Sequence, residues 1–584
     1  MVTKRYVALL VCGITLFANA QQPTYTTEHN VSIPMRDGVV LRADILRPAG
    51  ENRFPVLVYR TPYNKQDALE SYSTFRRAAG RGYVVVVQDV RGRFASDGEF
   101  EPYRNEGRDG YDTIEWAAKQ PWCDGNVGTF GLSYPGAVQW LAAVENPPHL
   151  KAMVPAMTYA TPRNFFYSGG LFDLSWISWI YRNIAPDVRV KKNLPGPKTY
   201  DEAEAEWAKH GMEYRSYLPL QDLPALKDVA PYYYEWMKHP AADPWWDWAN
   251  LEGKFGRVQA AVLNFSGWYD DAYGPDGATS NFNGLVAARK GQREQRAKLI
   301  MGPWIHGIAT IDQTKAGERE FGDVARSDYD ETILQWMDHY LRGIDNGVEK
   351  ERPVRYFVMG ADKWREADSW PPAARQKSFY LSGQRKLQAA PGKRGESFSP
   401  FISDPANPVT DPFSASSGAH DYRALTERKD VLMFDSEPLE ADTEVTGPII
   451  ADIYFSCDCR DTDLWVRLLD VAPDGTAYNL MSPGLDVVRA SYRNGTVKRD
   501  LLVPGKTYKL HFDKLLTSNV FKEGHRIRVQ ISAAFMPHMS RNLHTGALEM
   551  TSAKMQKATN RIYHDRQHLS RIVLPLVNAP AKSF

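Results

Sequence analysis

At 584 residues, 43% hydrophobic and 24% charged, with a formal net charge of +1, the chain is too long for one ordinary core and too neutral to carry an electrostatic footprint for nucleic acid. The balance is that of a soluble globular protein of two or three packed units, with no nucleic-acid partner.

Residues 1–20 read as a secretory leader. Lys4 and Arg5 precede the apolar run Tyr6 to Phe17, and Ala18-Asn19-Ala20 offers a small-residue cleavage site. The run is shorter than the ~20 apolar residues of a spanning helix, so an exported protein, periplasmic or secreted and without a membrane span after cleavage, is expected. Cys123, Cys457 and Cys459 then remain, an odd number in a chain too large to depend on disulfides, and no disulfide framework is expected. Cys457 and Cys459 are spaced to share one face of a strand. No second cysteine pair or histidine pair at metal spacing accompanies them, so neither a metal site nor a cofactor is expected.

From His29 to about Leu150, short β-rich runs alternate with helical stretches, the pattern of a mainly parallel sheet covered by helices. Val56 to Tyr59 and Tyr83 to Gln88 are the clearest strands, and the second is apolar almost throughout, as a strand buried on both faces must be. Tyr111 to Gln120 has helical periodicity, and GTFGLSYPGAVQWLAAV reads as strand, sharp turn, helix. Between about Tyr159 and Lys254 the character changes to Trp- and Tyr-rich helical segments. Strand patterns resume at Val258 to Phe265 and Ala297 to Met301, followed by an amphipathic helix around Asp330 to Tyr340. Beyond about Arg352, β-rich runs separated by turn residues take over, with a Pro-, Ser- and Gly-rich surface loop at Ala389 to Gly418. The expected organisation is an α/β-hydrolase domain over 26–158 and 255–350, a helical cap inserted at 159–254, and an all-β jelly-roll domain over 351–584.

The chemistry centres on Gly131-Leu132-Ser133-Tyr134-Pro135-Gly136, which holds a serine in a strand-to-helix turn with its hydroxyl above the sheet edge. The following helix points its N-terminal amides at that serine, favouring the negative charge of a tetrahedral intermediate. The usual elbow has glycine two residues after the serine; here Pro135 stands there and Gly136 follows. A serine nucleophile needs a base, and the base an orienting acid, in the chain order Ser, Asp or Glu, His. Between the cap and the β-rich tail stand two histidines. His306 closes Met301-Gly302-Pro303-Trp304-Ile305-His306 just after a strand, whereas His339 lies within an amphipathic helix, where a solvated or packed role accounts for it. Gly267-Trp268-Tyr269-Asp270-Asp271 follows another strand and offers Asp270 as the acid, with Asp271 as its near rival.

These motifs, together with Arg60-Thr61-Pro62-Tyr63-Asn64-Lys65 and Asp89-Val90-Arg91-Gly92-Arg93 before Ser96-Asp97-Gly98, resemble the CocE/NonD hydrolases, a family of esterases, X-Pro dipeptidyl-peptidases, α-amino-acid ester hydrolases and acylases. The likeness extends over nearly the whole mature chain, and the late glycine after Ser133 agrees with it. It implies Ser133 as nucleophile, His306 as base, Asp270 as its acid, and an oxyanion hole made by the Tyr63 hydroxyl and the Tyr134 backbone N–H.

The resemblance fixes the reaction better than the substrate. Where α-amino-acid ester hydrolases carry a carboxylate cluster for the substrate ammonium, this chain reads Asp271-Ala272-Tyr273-Gly274, and only Asp271 or Asp276 remains to replace it. Phe165, Phe166, Phe172, Trp176 and Trp179 of the cap offer aromatic surface for an apolar acyl site or for helix core; spacing gives Phe172, Trp176 and Trp179 one helical face. Three readings stand. The first is an esterase or acylase for a small apolar acyl ester or amide. The second is an X-Pro dipeptidyl-peptidase acting on short peptides, and the third a non-catalytic binding protein that uses the jelly roll.

Overall fold

The computed structural model describes residues 25–241, 243–292, 294–391, 398–482, 484–495 and 498–577; the leader expected at 1–20 lies outside them. Ten strands form the first sheet, in the order Tyr25–Pro34, Val40–Pro48, Val84–Asp89, Phe54–Thr61, Cys123–Leu132, Leu150–Ala156, Ala261–Tyr269, Ala297–Ile305, Val354–Val358 and Lys363–Ala367. The seven from Val84–Asp89 to Val354–Val358 run parallel to their neighbours. The two amino-terminal strands and the last one are antiparallel.

Alternation along the strands divides their side chains between two cores. Val56, Val58, Val84 and Val86 pack with Ile114 and Ala137 of the helices Glu106–Ala118 and Tyr134–Ala143. Leu57, Tyr59, Val85 and Val87 pack with Phe75, Ile333 and Met337 of Ser73–Gly80 and Tyr329–Arg342 on the opposite face. A sheet covered on both faces favours apolar residues along a central strand, and in Val84–Asp89, buried throughout, the four valines Val84 to Val87 supply them.

Because the strands are parallel, their carboxyl ends share one edge, where open α/β sheets place their ligands. Leu132 pairs with Ala156, Ala156 with Phe265, and Tyr269 with Ile305, so the turns after Leu132, Tyr269 and Ile305 open on that edge side by side. Arg91 binds Asp109 through both Nε (2.9 Å) and Nη2 (2.6 Å), tying the loop after Val84–Asp89 to the helix Glu106–Ala118.

Between Leu150–Ala156 and Ala261–Tyr269 the chain leaves the sheet and forms the helical cap. Ser175–Trp179 leads on to Ala185–Lys191, and Tyr200–Ser216 and Pro231–Trp236 follow. Its core is aromatic: Phe166 lies parallel to Trp176 at 4.5 Å and meets Trp236 at 4.9 Å and Trp246 at 4.7 Å.

From Arg375 on, twelve strands among the described residues form a second, mostly antiparallel set around Phe434, Ile449, Phe455, Val466 and Val529, the all-β unit expected of the tail. It leans on both preceding units. The Leu174 N–H of the cap donates to the His538 carbonyl at 2.8 Å, and the Tyr269 hydroxyl donates to the Asn479 carbonyl at 2.9 Å.

Three expectations need correction here. The first sheet runs past the boundary placed at residue 350, since Val354–Val358 and Lys363–Ala367 complete it. The stretch 389–418, expected as a surface loop, contributes the strand Phe398–Ser403, paired with Ala558–Tyr563. Cys457 and Cys459 are joined by a disulfide, so the tail holds one cross-link, while Cys123 is free and buried.

Candidate active site

Ser133 follows the strand Cys123–Leu132 at φ 71° and ψ −129°, a backbone region that L-residues seldom occupy. The turn is held by close backbone approach. The Ser133 N–H donates to the Ala156 carbonyl at 3.0 Å, and the Ser133 carbonyl accepts from Gly136 (2.8 Å) and Ala137 (3.0 Å) as the helix Tyr134–Ala143 begins. A Cβ on Gly136 would lie 2.4 Å from the Ala156 oxygen, and one on Gly131 would lie 2.5 Å from the Pro135 Cβ, so side chains are shut out on both sides of the serine. The position that must be small is therefore 136, and Pro135 supplies the fixed φ suited to a first helical turn.

His306 directly follows the strand Ala297–Ile305, and Asp270 directly follows Ala261–Tyr269. Their side chains meet: His306 Nδ1 lies 2.8 Å from Asp270 Oδ1. Asp270 is fully buried, and its carboxylate also accepts from the backbone N–H of Ala272 (3.1 Å) and Tyr273 (3.3 Å) and from the Ser266 hydroxyl (3.4 Å). Burial disfavours the imidazolium of His306, but the charge and hydrogen bond of Asp270, with Asp271 behind them, outweigh it and raise the His306 pKa above its ordinary value. The rival groups are occupied elsewhere. Asp271 is exposed and accepts from the Ser417 hydroxyl of the β unit, and His339 bonds the Ile344 carbonyl at the end of its own helix.

Two tyrosines approach Ser133. Tyr63 follows the strand Phe54–Thr61, and Tyr273 stands three residues after Asp270 with its hydroxyl 3.0 Å from that of Tyr103; Ser133 is among the groups that lower the pKa of each phenol. Burial pushes the Tyr63 phenol up to about 12, against the opposing effects of the Trp179 hydrogen bond and of Ser133, so it is protonated at neutral pH. Tyr273 is raised as well, chiefly by burial, and its ring centre lies 5.7 Å from that of His306.

Tyr134, whose N–H opens the helix behind the serine, is pinned by its side chain. Its hydroxyl donates to Glu106 at 2.8 Å and accepts from the Tyr103 N–H at 3.0 Å, and Glu106 pairs with Arg60 at 2.8 Å, all of them buried.

The five cap aromatics divide. Trp179 reaches the site: its indole N–H donates to the Tyr63 hydroxyl at 2.9 Å. Phe165 does as well, stacked between Tyr273 (4.6 Å) and Tyr159 (4.9 Å). Phe166 and Trp176 are cap core behind them. Phe172 corrects the helical-face argument, because it lies in the short strand Leu171–Phe172, before the helix Ser175–Trp179 begins, and packs against Tyr167 and Tyr233.

Residue patterns gave no signal for Tyr273, Tyr103, Tyr159 or Glu106, whose roles arise from contacts between distant segments. Asp276, considered as an ammonium partner, is engaged by Asn164, Ser280 and, at 3.8 Å, Lys514. Among the described residues, the one group with metal-ligand spacing is Cys457-Asp458-Cys459, whose cysteines are bonded to each other, and no helix is long and apolar enough to cross a membrane.

The model of the X-Pro dipeptidyl-peptidase (S15) family matches residues 37–308, and that of the X-Pro dipeptidyl-peptidase C-terminal non-catalytic domain matches residues 346–573. The chain is also 34% identical to a cocaine esterase of a Rhodococcus species, over 95% of this chain and 99% of that one. It belongs to the CocE/NonD family. Among solved structures, this CocE/NonD chain superimposes on an α-amino-acid ester hydrolase with a TM-score of 0.80 at 25% identity, covering 97% of this chain and 100% of that one. A CocE/NonD family hydrolase from Staphylococcus aureus shares the fold, with a TM-score of 0.67 at 20% identity over 95% and 94% of the two chains. As a CocE/NonD member the protein is a serine hydrolase acting on small ester or peptide substrates, with an α/β-hydrolase domain, a cap and an all-β carboxyl-terminal domain.

Proposed function

We propose that the protein hydrolyses esters of small apolar or aromatic acids through an acyl-enzyme on Ser133, with His306 as base and Asp270 as its orienting acid. The observation that carries this reading is the 2.8 Å bond between His306 Nδ1 and a buried Asp270, on the same sheet edge where the strained turn presents Ser133. With Nδ1 committed to the carboxylate, Nε2 is the nitrogen left to take the proton from the serine hydroxyl as Ser133 attacks the carbonyl carbon. The Tyr63 hydroxyl and the Tyr134 N–H donate to the oxyanion. Collapse expels the alcohol, which takes the proton from His306. Water activated by the same base then attacks the acyl-enzyme and releases the acid and Ser133.

The acyl group faces aromatic surface, since Phe165 and Tyr273 stack beside the serine and Trp179 stands over Tyr63. A free α-amino group finds little here: Asp271 and Asp276, the carboxylates considered for it, already have partners, and a dipeptidyl-peptidase needs such an anchor for the peptide amine. An aromatic ester is therefore favoured over an Ala-Pro or Gly-Pro amide. Export through the leader at residues 1–20 belongs to the same proposal, and amino-terminal sequencing of the mature protein checks it.

The test pairs a fluorophosphonate label with a substrate panel. The wild type should be labelled and Ser133→Ala should not, and nitrophenyl esters should be cleaved in preference to Gly-Pro nitroanilide. Faster release from the dipeptide amide would replace the esterase reading, and labelling that persists in Ser133→Ala would remove the nucleophile.

A further inference from the structure

We propose that Trp179 is a positioning residue for catalysis, whose indole N–H sets the direction in which Tyr63 donates its proton. This rests on the oxyanion role proposed for Tyr63.

An indole nitrogen can only donate, while a phenol has one proton to give and lone pairs to accept with. At 2.9 Å, Trp179 Nε1–H occupies an acceptor position on the Tyr63 oxygen. With that position filled by the indole, the phenol proton is left to point away from Trp179, toward the oxyanion proposed to form at Ser133. A hydrogen bond received by the phenol oxygen also polarises its O–H bond, so the proton given to the oxyanion is held more strongly than by an isolated tyrosine. Tyr63 left to itself divides its proton among several directions, and only one of them stabilises the intermediate.

The surroundings hold the indole to this task. Its ring stands edge-on to Tyr63 at 6.4 Å and 86°, and lies nearly parallel to the Tyr134 ring at 6.1 Å and 11°. Tyr134 carries the other oxyanion donor, so one side chain braces both halves of the hole. Behind it, Trp176 meets Trp179 edge-on at 5.3 Å and is itself stacked on Phe166. Trp179 comes from the cap, whereas Tyr63 and Tyr134 come from the sheet unit. The oxyanion hole is then complete only while the cap is seated, which ties acyl binding to the power of the site.

A wall of the acyl pocket and a positioning residue respond differently to two substrates. 4-Nitrophenyl acetate leaves an aromatic pocket empty, and 4-nitrophenyl benzoate fills it. Trp179→Phe keeps an aromatic ring and removes the N–H. It should lower kcat by about 5- to 10-fold on both esters, the worth of one neutral hydrogen bond, with KM for the acetate unchanged. The double variant Tyr63→Phe/Trp179→Phe should be no slower than Tyr63→Phe alone, because the indole then has no proton to direct. A loss confined to the benzoate and to KM, or losses that multiply in the double variant, would overturn the proposal and leave the Tyr63 role intact. Wild-type turnover in Tyr63→Phe itself would overturn both. Thermal unfolding checks that each variant is folded, and Trp179→Leu carries the same two-substrate comparison if the phenylalanine variant is not.

Discussion

The imidazole of His306 is bound through Nδ1 to Oδ1 of the fully buried Asp270 at 2.8 Å, which fixes both the plane of the ring and the nitrogen that carries its proton. In Asp270→Asn the amide can present its N–H₂ to Nδ1 and select the wrong tautomer. A fall in kcat of about 10⁴-fold with little change in KM is expected from steady-state kinetics on a nitrophenyl ester. The same charge governs the pH profile. Burial opposes the imidazolium, yet Asp270 and Asp271 raise the His306 pKa, and a base works only when neutral. The acid limb of kcat/KM should therefore lie above the ordinary imidazole value of about 6.5, activity falling as pH drops through it. For stability the sign is the reverse: the His306–Asp270 ion pair favours the folded state below the unfolded histidine pKa, and its contribution fades as pH rises through the folded value. An acid limb at or below the ordinary value would remove His306 from the role of base.

Tyr63→Phe removes the hydroxyl proposed as a donor to the oxyanion and leaves the ring in place. Turnover should fall by roughly 10²-fold or more while the thermal midpoint changes little. A variant that turns over as fast as the wild type takes Tyr63 out of the site.

Gly136→Ala would set a Cβ 2.4 Å from the Ala156 oxygen, the atom that also accepts the Ser133 N–H. Neither backbone segment can yield without moving Ser133. A loss of about 1–3 kcal/mol in stability is expected by chemical denaturation. The specific activity of the protein that remains folded should fall as well, which a purely structural glycine would not cause.

Phe165 and Phe166 are adjacent in sequence and opposite in use. Phe166→Ala leaves a hole among Trp176, Trp236 and Trp246 and should cost about 3–5 kcal/mol in stability. Phe165→Ala opens the aromatic stack beside Tyr273 and should raise KM for a benzoyl ester by about tenfold, with a smaller effect on an acetyl ester. Equal effects of the two changes on KM would place both residues in the cap core.

What could be read from the chain was whatever is written locally. A sharp turn needs small residues around Ser133, and a base at the carboxyl edge needs to follow a strand, as His306 does. Both demands leave their mark within a few positions. Tyr273 leaves none, because its value depends on Phe165, Tyr103 and Ser133 arriving from elsewhere. Phe172 misled because helical spacing counts residues, whereas the chain turns back at Gly169-Gly170 to pair Leu171–Phe172 with Tyr167–Ser168 before any helix begins. The strands Val354–Val358 and Lys363–Ala367 read as part of the tail because a β-rich run does not say which sheet it joins. The Cys457–Cys459 link escaped for a similar reason: counting cysteines looks for distant partners, and here the partner is two residues away.

The passage from the first sheet to the second has a bearing on how such enzymes can be recombined. Val354–Val358 lies against Ala297–Ile305, the Phe357 carbonyl accepts from Trp268 at 2.8 Å, and Met359, the first residue past the strand, exchanges backbone hydrogen bonds with Ser518 and Val520 of the β unit. A chimaera joined near residue 350 would strip the strand flanking the one that delivers His306 and bare the apolar edge beneath it. A splice placed past Ala367 keeps that flank and breaks only the seam to the donor's own tail, so exchange of carboxyl-terminal modules in this architecture carries a preferred cutting point that lies inside what looks, by composition, like the module itself.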